Sequence, residues 1–218
     1  ADASLQVTTN NETGEALLAG MGELHLEITT YRIEEEQNIK VSVSEPIVVY
    51  RETTSGNNHG ESFEGKSPNR HNRFYVEVEQ LPANVVQGLR EGVFGNGTIR
   101  NNDAKEVGRK FGEYDMDKDL MRKIYAINGT NVLVNDTKGI QYLHETRELL
   151  IEAFNEVCKK GPIAEEPMMG VMVRLVDAKL HEDAIHRGPA QTIPAMRNAI
   201  KGALIRASTV LMEPMQKM

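Results

Sequence analysis

The stretch His181-Glu182-Asp183-Ala184-Ile185-His186-Arg187-Gly188-Pro189-Ala190-Gln191 places two imidazoles, two carboxylates and a guanidinium against a Gly-Pro break. The first chemistry it suggests is metal binding, because His-Glu at 181–182 begins like the zinc motif H-E-x-x-H. The second histidine, however, falls at i+5 rather than i+4. At roughly 100° per residue a helix would hold the two rings about 140° apart, too far to share an ion. In a turn they could still converge, with Glu182 or Asp183 as a third ligand. A small metal-dependent hydrolase using His181, Asp183 and His186 is therefore one reading, and a polar turn without a special role is another.

Ser67-Pro68-Asn69-Arg70-His71-Asn72-Arg73 is the second polar cluster. It reads either as an ordinary loop or as one that faces phosphate, since Arg and Asn side chains donate to phosphate and sugar oxygens. Other candidates are weaker. Gly20-Met21-Gly22-Glu23 starts like a nucleotide-binding glycine pattern but lacks the third glycine, and no P-loop motif occurs anywhere. Cys158 lies on an apolar helical stripe and reads as core. No Ser-His-Asp set stands at a nucleophile turn.

The elements that must position these clusters follow from periodicity. Residues 5–9 and 15–19 read as the arms of a hairpin around the Asn10–Gly14 turn sequence. A helix is expected over 23–37, with Leu24, Ile28 and Tyr31 on one stripe. Ile39, Val41 and Val43 alternate as a strand, continued by 47–50. One helix for three strands leaves this α+β unit short of cover. Residues 51–69, rich in Gly, Ser, Asn and Glu, read as a boundary followed by a mobile loop. Beyond them come a strand at 74–78, helices at 83–91 and 103–113, and strands at 123–126 and 132–134 around Asn128-Gly129. The clearest helix spans 145–160. Its acids read as the solvated side, and Gly161 and Pro162 stop it. A strand at 169–181 leads into the histidine cluster, and a helix at 193–207 follows, with Pro194 expected in its first turn.

Composition narrows the class. The chain has 218 residues, 39% hydrophobic and 26% charged, which fits a globular protein. Its one cysteine excludes an internal disulfide and any Cys-based metal cage, and suits a reducing cytoplasm. The net charge of −7 argues against a dedicated nucleic-acid-binding domain. Its distribution qualifies that. Residues 12–37 hold seven glutamates and one arginine, while 187–212 hold no acid but Arg187, Arg197, Lys201 and Arg206. Residues 66–73 are also free of acids and hold Lys66, Arg70 and Arg73. Both ends read as internal to a longer protein.

A family resemblance rests on specific runs. Gly20-Met21-Gly22-Glu23-Leu24-His25-Leu26-Glu27 and Val43-Ser44-Glu45-Pro46-Ile47-Val48-Val49-Tyr50-Arg51-Glu52 resemble the third domain of the elongation factor 2 family of translation. The runs 67–73 and 180–191 are similar to the two tip loops of that family's fourth domain. Gly161-Pro162-Ile163-Ala164-Glu165-Glu166-Pro167 and Leu211-Met212-Glu213-Pro214 also match. Pro189 and Ala190 stand where the eukaryotic factor usually has two glycines, which resembles the archaeal form.

The resemblance implies an α+β chain in three parts. These are a partial ferredoxin-like third domain over 1–52 without its first strand and helix, a two-layer α+β sandwich fourth domain over 53–210, and the start of the fifth at 211–218. It implies an arm of a GTP-driven ribosomal translocase, with GTP and magnesium belonging to the parent rather than to this piece. No catalytic residue and no metal ligand is expected. It also implies that His186 is converted to diphthamide, which adds a trimethylammonium and a carboxamide to the ring, a charge that does not depend on pH. The implied RNA- and ribosome-contacting tip comprises Ser67, Pro68, Asn69, Arg70, His71, Asn72, Arg73, Asp183, His186, Arg187, Gly188 and Gln191. The implied partners are the ribosome with its tRNA and mRNA, the diphthamide biosynthesis enzymes, and ADP-ribosylating toxins.

Overall fold

A computed structural model describes residues 4–9, 16–44 and 50–213. The chain divides into two compact units, Ala1–Val49 with Pro214–Met218, and Tyr50–Glu213.

In the first unit β1 (Gln6–Thr9) and β2 (Ala16–Ala19) form the expected antiparallel hairpin, with Gln6 opposite Ala19. The turn expected at 10–14 lies outside the described residues. Helix α1 (Glu23–Gln37) spans the predicted residues and ends at Asn38, which takes the left-handed conformation with φ 53°. Gly20 fits the approach to this helix because a Cβ there would meet Leu26 Cδ2 at 2.9 Å. No residue of α1 is buried, and Leu24, Ile28 and Tyr31 are exposed. The strand expected through Ile39, Val41 and Val43 does not form, and Ile39 and Val43 stand in solvent. Among the described residues of this unit no strand pairs with 39–43, where Val41 N donates instead to Glu34 Oε1 at 3.0 Å, and alternation alone does not hold a strand without a ladder partner. The continuation at 47–49 lies outside the described residues.

The second unit opens with β3 (Arg51–Thr54) and β4 (Phe63–Lys66). Here the loop expected over 51–69 is corrected. Thr53 and Thr54 are buried, and β3 pairs antiparallel with the last strand of the unit. Between β3 and β4 the Asn58 side chain stands in for a missing backbone partner: its Oδ1 accepts from Val78 N at 2.7 Å and its Nδ2 donates to Glu61 O at 3.1 Å. A polar composition therefore marks a bonded edge here rather than a mobile segment.

There follow β5 (Arg73–Gln80), α2 (Ala83–Arg90), β6 (Gly97–Thr98), α3 (Ala104–Gly112), α4 (Lys118–Met121), β7 (Ile124–Asn128), β8 (Asn131–Asn135), α5 (Arg147–Lys159), β9 (Val171–Lys179), α6 (Pro189–Arg206) and β10 (Thr209–Met212). Strands β4-β5-β9-β8-β7-β6 form one sheet in that order, antiparallel except for the parallel β8–β9 pair. On β5, Phe74, Val76 and Val78 are fully buried against α5 and α6, while Tyr75, Glu77 and Glu79 alternate onto the other face. On β8 both faces are buried: Leu133 joins the α5–α6 core, whereas Val132 and Val134 join a second core under α2, α3 and α4. The fold is α+β as expected, but a second helix layer covers the β6–β8 side, so helices do not lie on one face alone. The run Val132-Leu133-Val134 is the sequence trace of that double burial. No described helix is long and apolar enough to cross a membrane.

Helix α6 starts four residues earlier than the predicted Ile193. Gly188 is the N-cap and Pro189 sits at the first helical position, where a missing N–H costs nothing. Pro194 is therefore inside the helix rather than in its first turn. Strand β4 lies directly on α6, since a Cβ on Gly65 would come within 2.1 Å of Ala195 O.

Candidate nucleic-acid interface

Strands β5 and β9 are antiparallel neighbours, with Arg73 opposite Lys179. The loop entering β5 and the loop leaving β9 must therefore meet at one end of the sheet. Both polar clusters found in the sequence are on those loops, and the structure brings them together.

Asn72, fully buried, ties the loops. Its Nδ2 donates to His186 O at 2.7 Å, and its Oδ1 accepts from His181 N at 3.1 Å. Asn69 adds a second tie: its Nδ2 donates to His186 O at 3.2 Å, and its backbone N donates to Gln191 Oε1 at 2.9 Å. The β4–β5 loop closes on itself through Ser67 N to Asn72 O at 3.0 Å and Arg70 N to Ser67 O at 2.8 Å. This turn leaves Arg70 exposed with φ 61°. Asp183 caps a single 3-10 turn (Ala184–Arg187) by accepting from Ile185 N at 3.1 Å. That turn carries His186 and leaves Ile185 81% exposed.

Three imidazoles crowd the surface of this platform. Ring centroids lie 4.9 Å apart for His71 and His181, 4.9 Å for His71 and His186, and 4.6 Å for His181 and His186. Asp183 N donates to His181 Nδ1 at 3.0 Å, so that nitrogen is an acceptor and its proton rests on Nε2. Among the described residues no group of three His, Cys, Asp or Glu is placed to hold a metal ion. The hydrolase reading of His181, Asp183 and His186 thus finds no support in the geometry.

Three of the residues expected at the RNA-contacting tip are not at the surface in this structure. Ser67, Asn72 and Arg187 are buried, at 2%, 0% and 5% exposure. Arg187 lies beneath the tip, where its Nη1 donates to Glu182 O at 2.7 Å and to His181 O. Its Nη2 pairs with Glu145, and the guanidinium stacks 4.4 Å over the Tyr142 ring. A buried cation needs this compensation, and having it removes the group from solvent. Pro68, Arg70, His71 and Asp183 are exposed, and Asn69, Arg73, His186, Gly188 and Gln191 are half-buried.

The basic segments are also less free than their sequence implies. Glu64 pairs with Lys66 at 2.8 Å and with Arg73 at 3.1 Å. The hydrogen bond from Lys66 is the main influence holding the Glu64 carboxyl below its ordinary range. On α6, Arg197 pairs with Glu156 at 2.9 Å and Arg206 covers the Phe63 ring. The expected solvated side of α5 is thus partly a row of counter-ions. Nothing in the spacing of Glu145 and Arg187, 42 residues apart, could have signalled their pairing. Glu64 stood just outside the acid-free run and was the one nearby clue. Arg70 is left as the tip cation without an acidic partner among the described residues.

The described residues thus build a six-stranded mixed sheet with two loops locked into a polar tip. Residues 93–208 match the family model described as elongation factor G, domain IV, and residues 1–45 match that for domain III. The chain belongs to the elongation factor G domain IV family. It is 56% identical over 217 residues to elongation factor 2 of Picrophilus torridus, 54% over 217 to that of Thermoplasma volcanium and 49% over 216 to that of Pyrococcus furiosus. These alignments take in 99–100% of the chain and 29% of each relative, so the chain spans less than a third of their length.

Proposed function

We propose that Tyr50–Glu213 is the arm of a GTP-driven ribosomal translocase, with its tip contacting the decoding site and the paired tRNA and mRNA. The observation that carries this reading is the rigid presentation of His186. Its carbonyl is clamped by Asn69 and Asn72 while its ring remains half-exposed beside the rings of His71 and His181. A fixed tip with one unpaired cation suits recognition of RNA by shape and backbone rather than by sequence. The names of the relatives support the same reading. GTP and magnesium act elsewhere in the whole cytoplasmic protein, so this chain carries no catalytic residue.

His186 is the modification site in this reading, converted to diphthamide by a dedicated biosynthetic pathway and open to ADP-ribosylating toxins. A group attached to the half-exposed ring extends the tip without touching the clamp, which uses only the backbone of His186. Peptide mass spectrometry on protein from the native host tests this directly. The expected result is a mass increase confined to the peptide containing His186, and an unmodified residue there would sink the assignment. In the full-length gene product Arg70→Gln should slow ribosome-dependent translocation, and wild-type rates would remove the RNA-facing role of this loop.

A further inference from the structure

At the far end of β9 from the tip, about 30 Å away for a nine-residue strand, lies an open cleft of ≈ 500 Å³. Its rim carries Arg51 from β3, Arg90 from the last turn of α2, Lys159 from the last turn of α5, and Thr130 from the β7–β8 turn. Among the described residues none of the three cations has a carboxylate partner. Arg51 donates to Tyr50 O at 3.1 Å, and Arg90 reaches only the Met169 thioether at 3.0 Å. Elsewhere Glu64 pairs with Lys66 and Arg73, Glu145 with Arg187 and Glu156 with Arg197, whereas Arg70 at the tip is, like these three, without one among the described residues.

A plain explanation for Arg90 and Lys159 is that they satisfy the terminal carbonyls of their helices. The structure gives most of that role to backbone N–H groups. Gln87, Gly88 and Leu89 O on α2 accept from Glu91, Val93 and Gly92 N, and Glu156 and Cys158 O on α5 accept from Lys160 and Met168 N. Backbone thus takes much of the capping, and among the described residues neither the Arg90 nor the Lys159 side chain donates to a terminal carbonyl of its helix. Thr130 Oγ1 accepts from Gly170 N at 3.1 Å, which leaves its hydroxyl proton to donate into the cleft.

We propose that this cleft is a second phosphate-binding site, taking the sugar-phosphate backbone of an RNA helix at the base of the arm. Two guanidiniums, an ammonium and a hydroxyl donor, with no carboxylate to compete, fit phosphodiester oxygens. The site is independent of the tip in its residues but rests on the reading that the protein works against RNA.

The test uses the 218-residue chain and a labelled RNA duplex, with affinity measured across a salt series. Arg90→Gln/Lys159→Gln should weaken binding at least about fivefold and flatten the slope of log affinity against log salt by about two, with an unchanged melting curve. In the wild-type chain, RNA should shield Lys159 from an acetylating reagent, a readout that survives any folding defect in the variant. Unchanged affinity in the double variant, with Arg70→Gln still weakening binding, would overturn the base site and leave the tip assignment standing. Loss of both effects would remove both. Displacement of RNA from Lys159 by an acidic polyglutamate peptide at lower concentration than by competitor RNA would overturn the RNA assignment in favour of an acidic protein segment.

Discussion

At the scale of single residues, the tip separates what is displayed from what holds the display. Asn72 uses its side chain to bind the backbone of two histidines, and it is fully buried. Replacing it with alanine leaves the carbonyl of His186 with only the longer bond from Asn69 and the N–H of His181 short of an acceptor. Asn72→Ala should therefore cost about 1–3 kcal/mol, read as a lowered urea midpoint. His186→Ala removes only a half-exposed ring and should change stability by less than about 0.5 kcal/mol in the same assay. If the two variants were equally destabilised, the division of labour drawn here would be wrong. Cys158 belongs to neither group: burial pushes its thiol well above the ordinary range, so it stays a protonated core residue.

Between elements, the contact of β4 with α6 matters most for the tip, because it sets where the β4–β5 loop meets the start of that helix. The contact depends on small residues: Gly65 against Ala195 and Ala199, and Gly202 against the Phe63 ring. A methyl group on Gly65 has no space, since backbone and not a flexible side chain faces it. Gly65→Ala should destabilise by about 1–3 kcal/mol through overpacking. It should also perturb the amide resonances of Asn69 and Asn72, some residues away, because the loop moves with the strand. Chemical-shift changes confined to the immediate neighbours of Gly65 would count against this coupling. The same scale explains Glu52, a fully buried acid on β3. Its carboxylate accepts backbone N–H groups from Ile163, Ala164 and Glu166 at 2.9, 2.8 and 3.1 Å, which fixes the loop between α5 and β9.

Across the whole second unit, a charged brace spans the sheet. Asp136 accepts from Arg174 at 2.7 Å and from Lys123 at 3.0 Å, and Arg174 also approaches Glu77 at 3.6 Å. Burial alone, the largest influence, would raise the Asp136 carboxyl, but the bonds from Arg174 and Lys123 override it and hold the group below its ordinary 3.8. A carboxyl lowered on folding stabilises the native state above its unfolded value, and that contribution is lost as pH falls through the folded value. Asp136→Asn should therefore be less stable than the wild type at neutral pH, with the gap closing below about pH 4. Denaturant titrations at pH 7 and pH 3 check this, and a gap of constant size would refute the brace.

Much of the second unit was legible in the sequence. The apolar stripe of α5 and the alternation of β5 and β9 have only one way to bury their side chains, and both polar clusters were visible as the ends of strands. In the first unit the span of α1 was equally legible, whereas the alternation at 39–43 misled, because a strand exists only where a partner supplies the ladder. The edge at 51–66 was hidden because its bonds run to residues far along the chain, such as Thr54 to Ala207 O. The direction of a charged side chain was hidden for the same reason. Arg187 and Arg70 look alike in sequence, yet one is buried beneath the tip and the other exposed on it. By itself, then, the sequence determined the periodic elements, the turn chemistry and the residue types gathered at the tip, since these depend on neighbours within a few positions. Only the tertiary structure decided which cations are neutralised, which tip residues are scaffold and which face solvent, because charge pairing and burial depend on contacts the chain makes across its full length.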